Sequence, residues 1–192
     1  MQTSVFLAMR NWLSQGLPIG FVAINAAPVE FMRDDFAERL TARMREHDIP
    51  PHLVEIEVTE HAFVERGSDF VGRALSELSR DGVRIALDDF GTGSSSLSHL
   101  RDYPVDVVKI DRSFIDKVTT DAEVRAIVTA VIDLAKSLDI EVVAEGVERE
   151  DQKRFLVKQG CEMGQGYLFG RAVEASEVPT ILRASASAYI AA

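Results

Sequence analysis

Six apolar runs, each closed by a polar residue and followed by an amphipathic stretch, set the pattern of this chain. They lie at residues 19–25, 53–57, 84–88, 106–110, 141–145 and 161–167. Their ends carry Asn25, Glu57, Asp88 with Asp89, Lys109 with Asp111, Glu145 and Gln165. Runs of this length that alternate poorly fit strands covered on both faces. Between them, apolar residues recur at helical spacing. Residues 34–47 place Phe36, Leu40 and Met44 four apart. Residues 123–138 place Val124, Ile127, Val128, Val131 and Leu134 on one side. Further helices are predicted over 1–15, 70–78, 95–101, 150–158 and 175–183, and Thr120 with Glu123 reads as a capping box. Strand, polar end, helix, repeated, is the order of a parallel α/β protein. In such folds the carboxyl ends of the strands share one surface, and chemistry takes place there.

The pattern gives one leading helix and six strand–helix units within residues 1–184, with an Ala/Ser-rich tail over 185–192 expected to fray. An eight-unit (β/α) barrel needs about 250 residues. A chain of 192 residues lacks the length of roughly two units, and it starts on a helix whose strand is missing. The fold expected is therefore a TIM-type (β/α) barrel left incomplete, with about six of eight units. An open doubly wound sheet has no such deficit and competes with it.

Composition narrows the function classes. Apolar residues make up 46% and charged residues 27%, as in a soluble globular domain. A net charge of −10 argues against a groove for a nucleic-acid polymer, which needs a basic stripe. No run of about 18 apolar residues marks a membrane segment. Arg10 and Asn11 interrupt the first apolar stretch, so it reads as a helix and not a signal peptide. The single cysteine, Cys161, suits a reducing cytoplasm and a place in the core.

The strand ends carry the chemistry. Glu57, Asp88, Asp89, Asp111 and Glu145 face one lysine, Lys109. Packed together and unpaired, such carboxylates raise one another's pKa and oppose folding. Two divalent cations nearly balance them, and an all-oxygen set favours hard ions such as Mg²⁺ or Mn²⁺. Paired ions are a standard device for phosphate-ester hydrolysis. Taken singly, an acid at a strand end is more often a helix N-cap, and Asp111 before residues 112–115 fits that reading. Capping explains neither Lys109, inside an apolar strand, nor Glu145 within Val142-Val143-Ala144-Glu145-Gly146-Val147. The four histidines are scattered, and no serine elbow or phosphate-cradling loop precedes a lysine.

Five segments in order complete the reading. They are Glu57-Val58-Thr59-Glu60, Asp88-Asp89-Phe90-Gly91-Thr92-Gly93, Lys109-Ile110-Asp111, Ala144-Glu145-Gly146-Val147-Glu148 and Gln165-Gly166-Tyr167-Leu168-Phe169-Gly170. Together they resemble the E-x-T-E, D-D-F-G-T-G, K-I-D, A-E-G-V-E and Q-G-Y-x-F-G motifs of the EAL domain of bacterial cyclic-di-GMP phosphodiesterases.

The resemblance implies a metal-dependent hydrolase that opens cyclic di-GMP to linear pGpG. Asn25, Glu57, Asp88, Asp89 and Glu145 would hold Mg²⁺ or Mn²⁺. Lys109 and Asp111 would act on the catalytic water or the second metal, beside Glu145. Glu60 would anchor the loop after Asp89, and Glu148 and Gln165 would support the site or touch the substrate. A homodimer is expected. The Glu-Ala-Leu segment that names the family is absent from the sequence, and the resemblance places it upstream of Asn25. Ala27, Ser94 and Ala172 stand where the family usually has serine, tyrosine and proline. The missing glutamate, a metal ligand in the family, gives the alternative of a non-catalytic cyclic-di-GMP-binding or protein-interaction module.

Overall fold

The computed structural model describes residues 2–63, 68–91 and 97–190. The elements follow in the order α1 (Gln2–Ser14), β1 (Val22–Asn25), α2 (Pro28–Phe31), α3 (Phe36–Glu46), β2 (Val54–Thr59), α4 (Ser68–Arg80), β3 (Arg84–Phe90) and α5 (Leu97–Asp102). The second half runs β4 (Val107–Ile110), α6 (Arg112–Ile115), α7 (Ala122–Ser137), β5 (Glu141–Glu145), α8 (Glu150–Gln159), β6 (Met163–Gln165) and α9 (Val178–Ile190).

All five strand pairings are parallel, and the strands neighbour one another in chain order from β1 to β6. A doubly wound sheet reverses its order at a switch point; this sheet never reverses. It is a barrel-type winding of six strands that stays open, with β1 and β6 as its edges.

Strand alternation separates two environments. Ile24, Ile56, Val58, Ile85, Leu87, Val108, Ile110, Val142 and Ala144 point outward and pack under the helices in the main core. Phe6 and Met9 of α1, Leu40 and Met44 of α3, and Leu75 and Leu78 of α4 close over them. The opposite face turns to the concave interior. There Ala86, Val107 and Val143 form a small separate cluster against Met163.

Several expectations shift. The outer strands are shorter than predicted, Val22–Asn25 and Met163–Gln165, because each has a neighbour on one side only. The cap of α7 is Asp121, whose carboxylate accepts from the Glu123 and Val124 amides. Thr120 instead turns its hydroxyl to the Lys117 carbonyl. On α7 the buried residues are Val128, Ile132 and Ala135, while Ile127 is exposed. The expected loop residues Thr92 to Ser94, and the expected helix start at Ser95, lie outside the described residues. The final helix spans Val178–Ile190. Among the described residues no helix is long and apolar enough to cross a membrane.

Candidate active site

The side chains at the mouth are placed by register. Asn25 pairs with Glu57, Lys109 with Val143 and Glu145 with Gln165. Two residues along a strand return to the same face. Asn25, Glu57, Asp88, Lys109, Glu145 and Gln165 therefore belong to the concave face at the carboxyl end of the sheet.

Two adjacent aspartates on a regular strand would point to opposite faces. A register shift between β3 and β4 prevents this. Leu87 pairs with Val108, and the next pair is Phe90 with Ile110, so Asp88 and Asp89 together stand against Lys109. Asp89 takes a left-handed backbone, φ 57°, a conformation Asp tolerates better than most residues. Its amide donates to the Asp88 carboxylate at 3.0 Å. One carboxylate oxygen each from Asp88, Asp89 and Glu145 lies within 4.8 Å of the others.

Lys109 sits at the centre. It is only 4% exposed, and its Nζ lies 2.6 Å from Glu57 Oε1, 2.6 Å from Glu145 Oε1 and 3.3 Å from Asp88 Oδ1. Burial opposes the ammonium. Hydrogen bonds to Glu145 and Glu57 and the charge of Asp88 outweigh it and hold the Lys109 pKa above its ordinary value. One lysine cannot neutralise the whole group. Burial raises the Glu145 pKa despite Lys109, and Asp88 and Glu57 add to the rise. Burial also raises that of Asp89, with Asp88 and Asp111 contributing.

The family model of the EAL domain matches residues 1–172. The chain belongs to the EAL domain family. It is 38% identical over 170 residues to the bifunctional diguanylate cyclase/cyclic di-GMP phosphodiesterase MucR of Pseudomonas aeruginosa, covering 88% of this chain but 25% of that protein. The chain thus spans about a quarter of the length of this curated relative. Among solved structures, the EAL domain of Mycobacterium smegmatis DcpA superposes with a TM-score of 0.89 at 36% identity, over 94% of this chain and 81% of that one. The manganese/cyclic-di-GMP complex of Klebsiella pneumoniae BlrP1 superposes with a TM-score of 0.79 at 31% identity, over 88% and 43%.

In this EAL domain Asp111, Glu60 and Glu148 each have partners of their own beside the ring. Asp111 caps α6, its Oδ1 accepting from the Ser113 amide at 2.9 Å and from the Ser113 hydroxyl. Its charge still reaches Asp89. Glu60 is buried in a short 3-10 turn directly after β2. Its Oε1 accepts from the Gly91 amide at 3.4 Å, at the start of the segment beyond Asp89. Its Oε2 is shielded from solvent with no partner among the described residues. Glu148 pairs with Arg112 at 2.9 Å, and its amide donates to Gln152 Oε1. Asn25 and Gln165 are exposed, at the ends of the two edge strands.

One group escaped the sequence reading. Arg84 of the EAL domain reaches Glu55 at 3.1 Å and Glu141 at 2.6 Å, and its guanidinium lies 4.7 Å from the centre of the Phe21 ring. Glu55 is 2% exposed. This triad occupies the same face as the acidic ring, nearer the amino ends of β2, β3 and β5. The signal was present, since Glu55 precedes Glu57 by two residues, and Arg84 and Glu141 precede Asp88 and Glu145 by four. Attention to strand ends alone passed over it.

Proposed function

We propose that this EAL domain is a cyclic-di-GMP phosphodiesterase acting through two divalent ions, Mg²⁺ or Mn²⁺. The observation that carries the reading is the acid excess around one buried ammonium. Three carboxylates meet within 4.8 Å, two of them with raised pKa. A hard-cation site has this donor chemistry. Asn25, Glu57, Asp88, Asp89 and Glu145 would hold the ions. When bound, the ions screen the phosphodiester charge and lower the pKa of water.

The chain's own groups have definite tasks. The pGpG product keeps its terminal phosphate at the 5′ end, so water adds to phosphorus and the P–O3′ bond breaks. The proton from that water leaves to a carboxylate of the ring, and the 3′ oxygen ends as a hydroxyl. Lys109, held between Glu57 and Glu145, presents positive charge where phosphoryl oxygens accumulate negative charge. Asp111 tunes Asp89 by its field while capping α6. Glu60 holds the segment beyond Asp89, and Glu148 and Gln165 flank the substrate.

The test is turnover of cyclic di-GMP to pGpG with Mn²⁺ or Mg²⁺, followed by chromatography. Glu145→Gln is expected to lower kcat at least about 100-fold, the scale of losing one essential polar group, with the circular-dichroism spectrum of the folded protein retained. Equal kcat in wild type and variant would remove Glu145 from the mechanism. A second reading rests on Asn25, which lies exposed on an edge strand, so the ligand set is open on that side. A non-catalytic cyclic-di-GMP-binding module would give binding heat in calorimetry and no pGpG.

The reading extends to location and assembly. A buried, unpaired cysteine fits a reducing cytoplasm. Open sheet edges invite pairing with another chain, and we assign them to a second copy. Light scattering at tens of micromolar is expected to give twice the 21.2 kDa chain mass; a monomer mass at that concentration would end this part of the reading.

A further inference from the structure

The turn after β6 is pinned against the turn after β5. The Val147 amide donates to the Gln165 carbonyl at 3.0 Å, and the Leu168 amide donates to the Val147 carbonyl at 3.1 Å. Gly166, at φ 156°, lies so close that a Cβ there would stand 2.3 Å from the Val147 carbonyl oxygen. Only glycine allows that approach. Tyr167 therefore projects from a backbone clamped on both sides, two residues beyond Gln165 and next to the strand that pairs with Glu145.

Its side chain does not enter the core. Tyr167 is 57% exposed, and the Arg171 guanidinium lies 4.3 Å from its ring centre. Arg112, the partner of Glu148, lies within electrostatic reach of the Tyr167 hydroxyl. The apolar alternative fails on burial, since a core tyrosine such as Tyr103 packs on Phe63 at 4.5 Å, whereas the one ring contact found for Tyr167 among the described residues is a cation. An exposed, rigidly carried aromatic ring backed by a guanidinium is the chemistry that stacks nucleobases.

We propose that Tyr167, backed by Arg171, is a stacking surface for one purine base of the dinucleotide, and so a specificity element of the site. This rests on the cyclic-di-GMP reading above. Gln165 and Glu145 fix where the phosphodiester sits, and the clamped turn fixes where its base lands. The Tyr167 hydroxyl is not needed for stacking, so Tyr167→Phe should keep the function.

The test uses a cyclic dinucleotide in which 2-aminopurine replaces one guanine, titrated into the protein with Ca²⁺. Stacking on Tyr167 is expected to quench the probe fluorescence. Tyr167→Ala is expected to weaken binding about 5- to 100-fold, the range found for losing one base–aromatic stack, and to lose the quench. Tyr167→Phe is expected to restore both, and Arg171→Ala to weaken binding with the quench partly kept. Melting curves of all variants are expected to coincide. Wild type and Tyr167→Ala binding equally, with the same quench, would overturn the stacking role and leave the phosphodiesterase reading standing. Failure of the wild type to bind cyclic di-GMP itself would overturn both.

Discussion

The Lys109 ammonium is shared among three carboxylates, and this decides how the ring behaves without metal. Removing one partner of a buried ion pair leaves uncompensated charge, at a cost of about 3–5 kcal/mol. Lys109→Met leaves Glu57, Asp88 and Glu145 facing one another. It is expected to lower unfolding free energy by about 3 kcal/mol in urea titrations with chelator, and saturating Mn²⁺ is expected to recover part of the loss. An equal deficit with and without Mn²⁺ would show that the carboxylates do not share an ion. That Glu57, Asp88, Lys109 and Glu145 would meet was legible at this scale, because four charged strand ends in series exceed what helix capping needs. Their geometry was not. That both Asp88 and Asp89 stand against Lys109 depends on a strand irregularity and a left-handed backbone, and the pair of letters encodes neither. Asp111 does the capping that its sequence context suggested. Cys161 is the core residue expected of a lone cysteine, 4% exposed, and burial pushes its thiol pKa up to about 11.

At the scale of elements, the strands were the most readable features. A parallel strand covered on both faces is apolar throughout, so the predicted β5 matches residue for residue. Helix faces were read with single-residue errors. The stripe predicted for α7 included Ile127 and omitted Ile132, whereas Ile132 is buried. The predicted Val124, Val128, Val131 and Leu134 do pack on the core, and Ile132 and Ala135 lie on the same side of the helix. The short helices α2 and α6, and the turn at Glu60–Phe63, span four residues each. A segment of about one turn cannot display a period. The cap of α7 was misplaced by one residue because Thr120 and Asp121 are both good cap residues; only hydrogen-bond geometry separates them.

Across the whole molecule, electrostatics links stability to pH and to cations. Glu145, Asp89 and Glu55 all have folded-state pKa values raised above the ordinary carboxylate range, chiefly by burial. Between the unfolded pKa of about 4 and those raised values, the folded state binds more protons than the unfolded state. Stability then falls as pH rises through that window. Lys109 acts at the other extreme. Its raised pKa contributes stability below about pH 10, lost as pH climbs through the folded value. The melting temperature of metal-free protein is therefore expected to rise as pH is lowered from 7 towards 5, and Mn²⁺ is expected to flatten that slope by neutralising the same carboxylates. A metal-free melting temperature that falls over this range would contradict the burial of Glu145 and Asp89. The parallel winding was legible from the strand–helix alternation, and the strand order had to be seen to exclude a doubly wound sheet.

In a closed barrel, strand number and stagger together fix the diameter. Here no hydrogen bond joins β1 to β6, so no such equation governs the opening. The four inner strands hold Glu57, Asp88, Lys109 and Glu145 at set spacings through their ladders, while Asn25 and Gln165 ride on the outermost strands. The width between them is held instead by the flanking segments, where the Trp12 ring nitrogen donates to the Ala175 carbonyl at 3.2 Å and the Arg183 guanidinium donates to the Gln15 side chain at 2.9 Å.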